Sequence, residues 1–98
     1  MSTSIDFKKI AQAALSRSRS LVPTLLPEGV EKCGEWVTRN PKRNDRSPGS
    51  FQINLNSGRW ADFAAGDKGG DLISLVAYLD GISQLDAAKK LLALLGGS

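Results

Sequence analysis

The sequence contains no histidine and only one cysteine, Cys33. One thiol cannot form an internal disulfide, and a zinc site usually takes four cysteine or histidine ligands. The lack of histidine also removes the side chain that most often acts as a general base near neutral pH. We therefore expect a protein that is not an enzyme and that holds no metal or other cofactor.

Long apolar runs are missing as well. No apolar segment approaches the roughly 18 residues that indicate a membrane-spanning helix. The N-terminal residues MSTSIDFKKI lack the apolar stretch of a secretory signal. We expect a cytoplasmic protein without a membrane partner. With 98 residues, of which 41% are hydrophobic and 23% are charged, the chain has the size and composition of one globular domain, residues 1–98.

Positive charge is concentrated in the middle of the chain. The formal net charge is only +3, but residues 37–60 carry five basic side chains and one acidic one. A local excess of this kind is typical of surfaces that bind polyanions. The five basic residues are Arg39, Lys42, Arg43, Arg46 and Arg59.

The first half of the chain predicts one helix and one strand. Apolar spacing indicates a helix over residues 4–20, capped by Ser4. Two prolines predict an extended or turning connector up to residue 30. Residues 32–38 have the pattern of a short strand, and the polar stretch 40–49 predicts an exposed loop.

The second half predicts a hairpin followed by two helices. Apolar and polar residues alternate over 50–55, Asn56-Ser57-Gly58 suits a hairpin turn, and 59–64 forms the return strand. The glycine-rich residues 65–70 predict a turn. Capping residues then start helices at Asp71 and Ser83. The predicted fold class is α+β, a small three-stranded antiparallel sheet with one N-terminal and two C-terminal helices.

Four short segments then stand in a recognisable order: Asn40-Pro41-Lys42-Arg43, Pro48-Gly49-Ser50-Phe51, Trp60-Ala61-Asp62-Phe63-Ala64-Ala65-Gly66 and Gly69-Gly70-Asp71. They resemble the first knuckle, the Pro-Ser-Phe strand, the second knuckle and the Gly-Gly-Asp turn of the N-terminal zinc-ribbon domain of bacterial and phage DNA primases. The resemblance covers residues 36–95. It divides the chain into an N-terminal helix with its connector, residues 1–30, and a zinc-ribbon-like region, residues 31–98.

The resemblance implies four zinc-ligand positions, and none of them holds cysteine or histidine. They are Asn40, Arg43, Asp62 and Ala65. Because a structural metal often supplies much of the folding free energy of a small ribbon, a degenerate, metal-free form needs a replacement. We expect aromatic side chains to fill that place in the core, namely Trp36, Phe51, Trp60 and Phe63.

The resemblance also implies a role in DNA replication, as an accessory module that binds single-stranded DNA or RNA. Zinc-less sequences of this kind are expected in phages and mobile elements, alone or within larger primase or helicase proteins. Basic side chains would hold the phosphates, and one tryptophan would stack on a base. The predicted nucleic-acid-binding residues are Arg39, Lys42, Arg43, Arg46, Arg59, Lys68 and Trp60.

Several alternatives stay open at this point. The basic loop can be a merely solvated segment, and both tryptophans can be core residues. The leucine-rich helices of residues 71–95 can instead dock on a primase, helicase or polymerase, or inhibit a host protein. A phosphate loop at residues 66–71 is disfavoured, because the segment lacks the Gly-Lys-Ser/Thr sequence of such loops. A magnesium site at Asp62, Asp67 and Asp71 competes with turn and capping roles for Asp67 and Asp71.

Overall fold

The structure is a computed structural model that describes residues 6–39 and 50–96. Four helices and five strands follow one another in these ranges: α1 (Phe7–Ser16), α2 (Ser18–Leu25), β1 (Val30–Lys32), β2 (Glu35–Thr38), β3 (Phe51–Asn54), β4 (Trp60–Asp62), β5 (Asp67–Gly69), α3 (Leu72–Asp80) and α4 (Gln84–Leu94). The strands form one antiparallel sheet in the order β1-β2-β3-β4-β5. The protein is an α+β domain, but the predicted three-stranded sheet with one N-terminal helix is wrong.

The predicted strand over residues 32–38 is split by a tight turn. Cys33 and Gly34 have φ angles of 52° and 80°. Two successive residues with positive φ suit the two-residue turn that joins antiparallel strands with the right twist. Cysteine seldom adopts this conformation, so the sequence pattern gave no warning of it. Strands β1 and β2 therefore pair with each other, with Glu31 opposite Trp36.

The glycine-rich residues 65–70 include a fifth strand where only a turn was predicted. Gly69 lies directly opposite Trp60 in the β4–β5 ladder. Glycine weakens a strand, yet it is used where another group approaches the backbone closely. A Cβ atom on Gly69 would lie only 2.4 Å from both Trp60 Nε1 and Ser74 Oγ. Glycine is required here by packing.

The predicted connector before residue 30 is largely the helix α2, which contains Pro23. A proline inside a helix removes one backbone hydrogen bond and crowds the preceding turn. Burial offsets this cost, because Val22 and Leu26 of this segment are 0% and 3% exposed. The buried Ser18 also donates its hydroxyl to the Leu55 carbonyl, which ties α2 to the end of β3.

Helix α1 is shorter than the predicted helix over residues 4–20. It begins after Asp6, whose carboxylate accepts a hydrogen bond from the Lys9 N–H at 3.1 Å. The predicted cap, Ser4, lies outside the described residues. Where the chain passes into α2, the Arg17 guanidinium donates to the Leu95 carbonyl at 3.3 Å, which joins α1 to the end of α4.

The predicted caps of the two C-terminal helices are confirmed. Asp71 accepts from the Ser74 N–H at the start of α3, and Ser83 accepts from the Asp86 N–H at the start of α4. Gly81 ends α3 in the left-handed conformation, as expected for a glycine that follows a helix. These local signals depend on neighbours within four residues, which is why the sequence alone revealed them.

The buried face of α4 differs from the predicted one. The helical spacing of Leu85, Ala88, Leu92 and Leu95 in the sequence predicts that these four residues form one inward face. In the structure Leu85 and Leu92 are 43% and 36% exposed, and the fully buried residues of α4 are Ala87, Ala88 and Leu91. Two small alanines allow α4 to approach α3 closely, so packing rather than leucine content selects the inner face.

The core lies between the helices and one face of the sheet. Its members come from every helix, from strands β3 and β4 and from the residues that follow α2 and β3: Ile10, Ala14, Leu21, Val22, Leu26, Phe51, Ile53, Leu55, Trp60, Leu72, Ile73, Leu75, Val76, Ala77, Ala87, Ala88 and Leu91. Each large apolar side chain buried in this way contributes about 1.5–3 kcal/mol. In residues 6–39 and 50–96, no helix is long and apolar enough to span a membrane.

We predict that Gly69→Ala destabilises the protein, because the added methyl group must displace the buried Trp60 ring or Ser74. Overpacking of this kind costs about 1–3 kcal/mol of unfolding free energy. Gly70→Ala is the matched control, since a Cβ at that position has no atom within 4 Å. Urea denaturation followed by tryptophan fluorescence measures both changes. Equal stability of the two variants would contradict the packing argument.

Candidate nucleic-acid interface

The sheet has one face that is not part of the core. Along β3, Phe51 and Ile53 are buried, and the alternating residues Gln52 and Asn54 are half-buried. Side chains of a strand point alternately to the two faces. The outward side is called the open face below. It carries Glu35, Val37, Gln52, Asn54, Arg59, Ala61, Phe63 and Lys68.

A shallow groove crosses the middle of the open face. In the strand register, Gln52 lies opposite Ala61, and Ala61 lies opposite Lys68. Directly opposed side chains of an antiparallel sheet have their Cβ atoms about 4.5–5.5 Å apart. Because alanine is small, the middle of this row is low, and the groove over it has a volume of about 300 Å³.

A cationic residue, a small residue and an aromatic residue follow one another along β4 and its two flanking residues. Arg59, Ala61 and Phe63 occupy alternate positions, so their Cα atoms are separated by about 7 Å each along the strand. The Phe63 N–H donates to the Ser50 carbonyl at 2.8 Å, which extends the ladder beyond the end of β4. All three residues line the groove.

Two polar residues lie on the β2 side of the groove. Glu35 is opposite Asn54 in the β2–β3 ladder, and its carboxylate is the acidic group among the lining residues. The Asn54 side-chain oxygen accepts from the N–H groups of Asn56 and Ser57 at 2.8 and 2.9 Å. Asn54 therefore shapes the β3–β4 turn, whereas Glu35 contributes negative charge to the groove.

The structure brings together some of the predicted binding residues. Arg59 and Lys68 are exposed and line the same groove. Arg39 is exposed and follows the buried Thr38, so strand alternation places it on the open side of the sheet. The other three basic residues, Lys42, Arg43 and Arg46, lie outside the described residues and stay predictions.

Trp60, the predicted stacking residue, belongs to the core in this structure. It is 5% exposed. Its ring centroid lies 4.8 Å from that of Tyr78 and 5.9 Å from that of Phe51. Its indole N–H donates to Ser74 Oγ at 2.9 Å. A base can stack on this ring only if the ring leaves the core, and the predicted role stays untested.

Phe63 is the exposed aromatic that the sequence interpretation missed. It was expected to fill the core, and this expectation is wrong, because its side chain is 69% exposed. The alternation that turns Trp60 and Asp62 inward turns Phe63 outward. The alternation along residues 60–63 would have predicted an exposed Phe63 if Trp60 had been assigned to the core. The other tryptophan, Trp36, is half-buried and donates its indole N–H to the Leu26 carbonyl at 2.8 Å.

The two described positions of the implied zinc-ligand set lie in one turn. Asp62 is 0% exposed, and its carboxylate accepts from the N–H groups of Ala64 and Ala65 at 2.9 and 3.2 Å. A side chain that accepts from backbone two residues ahead forms an Asx turn. Asp62 thus closes this turn by hydrogen bonds. Asn40 and Arg43, the other two implied positions, are not among the described residues.

The other two residues of the hypothetical magnesium site, Asp67 and Asp71, make contacts within the protein. The Tyr78 hydroxyl donates to the Asp67 carboxylate at 2.8 Å, and Asp71 caps α3. In residues 6–39 and 50–96, no group of three or more histidine, cysteine, aspartate or glutamate side chains is arranged to hold a metal ion. The predicted cap at Asp71 is thus confirmed, whereas Asp67, for which a turn role was predicted, lies in β5 and contacts Tyr78.

Comparison with known proteins finds a similar fold among the solved structures. No protein family matches the sequence, and no curated protein matches it. The fold is similar to the crystal structure of the Aquifex aeolicus primase, zinc-binding and RNA polymerase domains, with a TM-score of 0.68 and 23% sequence identity over 96% of this chain. The chain spans only 22% of that protein. The protein therefore has a primase-like fold, and at this identity the likeness shows the fold alone.

We predict that Asp62→Ala destabilises the domain and that Asp62→Asn does so less. Alanine removes the acceptor of two backbone N–H groups, and each lost hydrogen bond costs about 0.5–1.5 kcal/mol, whereas asparagine keeps one oxygen in place. Thermal unfolding followed by circular dichroism should rank the native protein above Asp62→Asn, and Asp62→Ala last. An alanine variant as stable as the native protein would show that the turn does not depend on this carboxylate.

Proposed function

We propose that the protein binds single-stranded nucleic acid on the open face, as a non-catalytic accessory module of replication or priming. One observation carries the proposal: the groove gathers two exposed cations, Arg59 and Lys68, with the exposed ring of Phe63. Positively charged grooves with aromatic rings are typical of proteins that bind single strands without strong sequence preference.

The cations supply the electrostatic part of binding. Within residues 6–39 and 50–96, neither Arg59 nor Lys68 is in an ion pair, so both charges are available to phosphates. Ala61 forms the floor of the groove. Arg59 lies two residues before Ala61 in the chain, and Lys68 lies opposite Ala61 on β5. Phosphates bound on these two sides would leave the space over Ala61 to the base between them.

The role in replication is supported by the likeness of the fold to a primase. Because the likeness covers 22% of the Aquifex chain, it supports an accessory part in priming rather than the whole activity of a primase. The choice between DNA and RNA and an origin in a phage or mobile element stay predictions. Partners such as a primase, helicase or polymerase are consistent with this role.

A second candidate function is docking on a replication protein through α4. The observation that favours it is the exposure of Leu85, Leu92 and Leu94, at 43%, 36% and 43%. Apolar contact depends little on salt, whereas phosphate binding weakens steeply as salt rises. The salt dependence of binding therefore separates the two functions, and Leu85→Asp would impair docking alone.

We predict that Arg59→Ala and Lys68→Ala each weaken binding of a labelled single-stranded oligonucleotide in fluorescence anisotropy. The slope of log affinity against log salt is negative, and each lost phosphate contact should make it less steep by about 0.7. Lys89→Ala is the control for charge, because Lys89 is exposed on α4 and does not line the groove.

The outcomes of this titration are distinct. Binding that weakens with salt and with both groove substitutions, but little with Lys89→Ala, supports the proposal. Equal effects of all three substitutions would indicate an unspecific charge effect and contradict a site in the groove. Absence of binding at low salt would overturn the proposed function.

We further predict that Glu35→Gln tightens binding at low salt, because the carboxylate repels phosphates that enter the groove. The gain should be several-fold and should shrink as salt screens the repulsion. Glu28→Gln makes the same change of charge at an exposed position that does not line the groove. The same anisotropy assay measures both variants. A glutamine at position 28 that tightens binding as much as one at position 35 would show that the effect is not local.

A further inference from the structure

Phe63 is the most exposed large apolar side chain of residues 6–39 and 50–96. Its side chain is 69% exposed, although burying a phenylalanine side chain stabilises a protein by about 1.5–3 kcal/mol. Single exposed apolar residues are common on protein surfaces. The surroundings of Phe63 distinguish it, because the ring stands at one end of a concave, cationic surface.

The residue next to Phe63 on the open face is Ala61, and its small size makes room beside the ring. Ala61 occupies the middle of β4, with Gln52 of β3 on one side and Lys68 of β5 on the other. A longer side chain at this position would fill the groove. The ring, the gap and Arg59 are spaced by about 7 Å along β4, which separates an aromatic contact from a phosphate contact.

We infer that Phe63 and Ala61 form a seat for one unpaired base, in which the phenyl ring stacks on the base and the alanine leaves room for it. This inference rests on the proposed function and deepens it, because it names the group that the groove receives. Bases within a duplex are already stacked and paired, so the seat favours single strands. Stacking uses the π face that every base has, so the seat tolerates any sequence.

Neighbouring aromatic residues do not offer the same contact. Trp60 is 5% exposed, and its ring lies against the rings of Tyr78 and Phe51. Phe7 is 42% exposed, but it lies on α1 and does not line the groove. Trp60 also lines the groove, but of these rings Phe63 combines a place in the groove with an exposed side chain.

The inference is tested with two labelled oligonucleotides of equal length, one of ordinary single-stranded DNA and one that carries abasic sites at every position. Both present the same phosphates, but only the first has bases. Phe63→Ala should weaken binding of the ordinary strand by about tenfold, the effect of losing one stacked base, and should leave binding of the abasic strand unchanged. Arg59→Ala should weaken binding of both strands by the same factor.

Two further variants sharpen the test. Phe63→Trp should keep or tighten the preference for the ordinary strand, because it retains a stacking ring. Ala61→Leu should reduce that preference by filling the gap. The side chain at position 61 points away from the core, so we expect the Ala61→Leu variant to stay folded. Thermal unfolding checks this, and a folded variant shows that the reduced preference is a local effect.

The possible results separate the inference from the proposed function. If Phe63→Ala changes the affinity of both strands equally, or of neither, the base seat is wrong while binding to phosphates stands. If the native protein binds neither strand at low salt, the proposed function fails and the seat fails with it. A tenfold loss confined to the ordinary strand supports both.

Discussion

The contact between the Trp60 ring, Gly69 and Ser74 is the constraint on which the rest of the structure depends. The ring needs a residue without a Cβ on the neighbouring strand, and Gly69 supplies it. The indole N–H donates to Ser74 Oγ, and Ser74 completes the capping box of α3 with Asp71. One side chain thus joins β4, β5 and the start of a helix, which is why the short glycine-rich segment becomes a strand.

The same contact determines the open face. Once Trp60 points inward, the period of two along a strand turns Arg59 and Ala61 outward. The ladder continues to Phe63 by way of its N–H bond to Ser50, so the ring is exposed as a consequence of the core. The buried Asp62 then closes the following turn by hydrogen bonds. The candidate interface and the core therefore lie on opposite faces of the same strands.

The primase-like fold and the chemistry of the groove support the same proposal from independent directions. The fold is similar to part of the Aquifex aeolicus primase structure. The groove combines cations with a ring, which suits phosphates and unpaired bases. The exposed leucines of α4 lie on the helical side of the molecule, so nucleic-acid binding and protein docking would use different surfaces.

Local patterns in the sequence were enough to predict the hairpin over residues 50–64 and the caps at Asp71 and Ser83, because each depends on hydrogen bonds or alternation among near neighbours. They were also enough to select Arg59 and Lys68 as candidate phosphate contacts. Only the tertiary structure decided that Pro23 lies inside a helix, that residues 67–69 form a strand and that Phe63 rather than Trp60 is exposed. These features depend on burial and close packing between segments that are distant in sequence, and such contacts override local propensity.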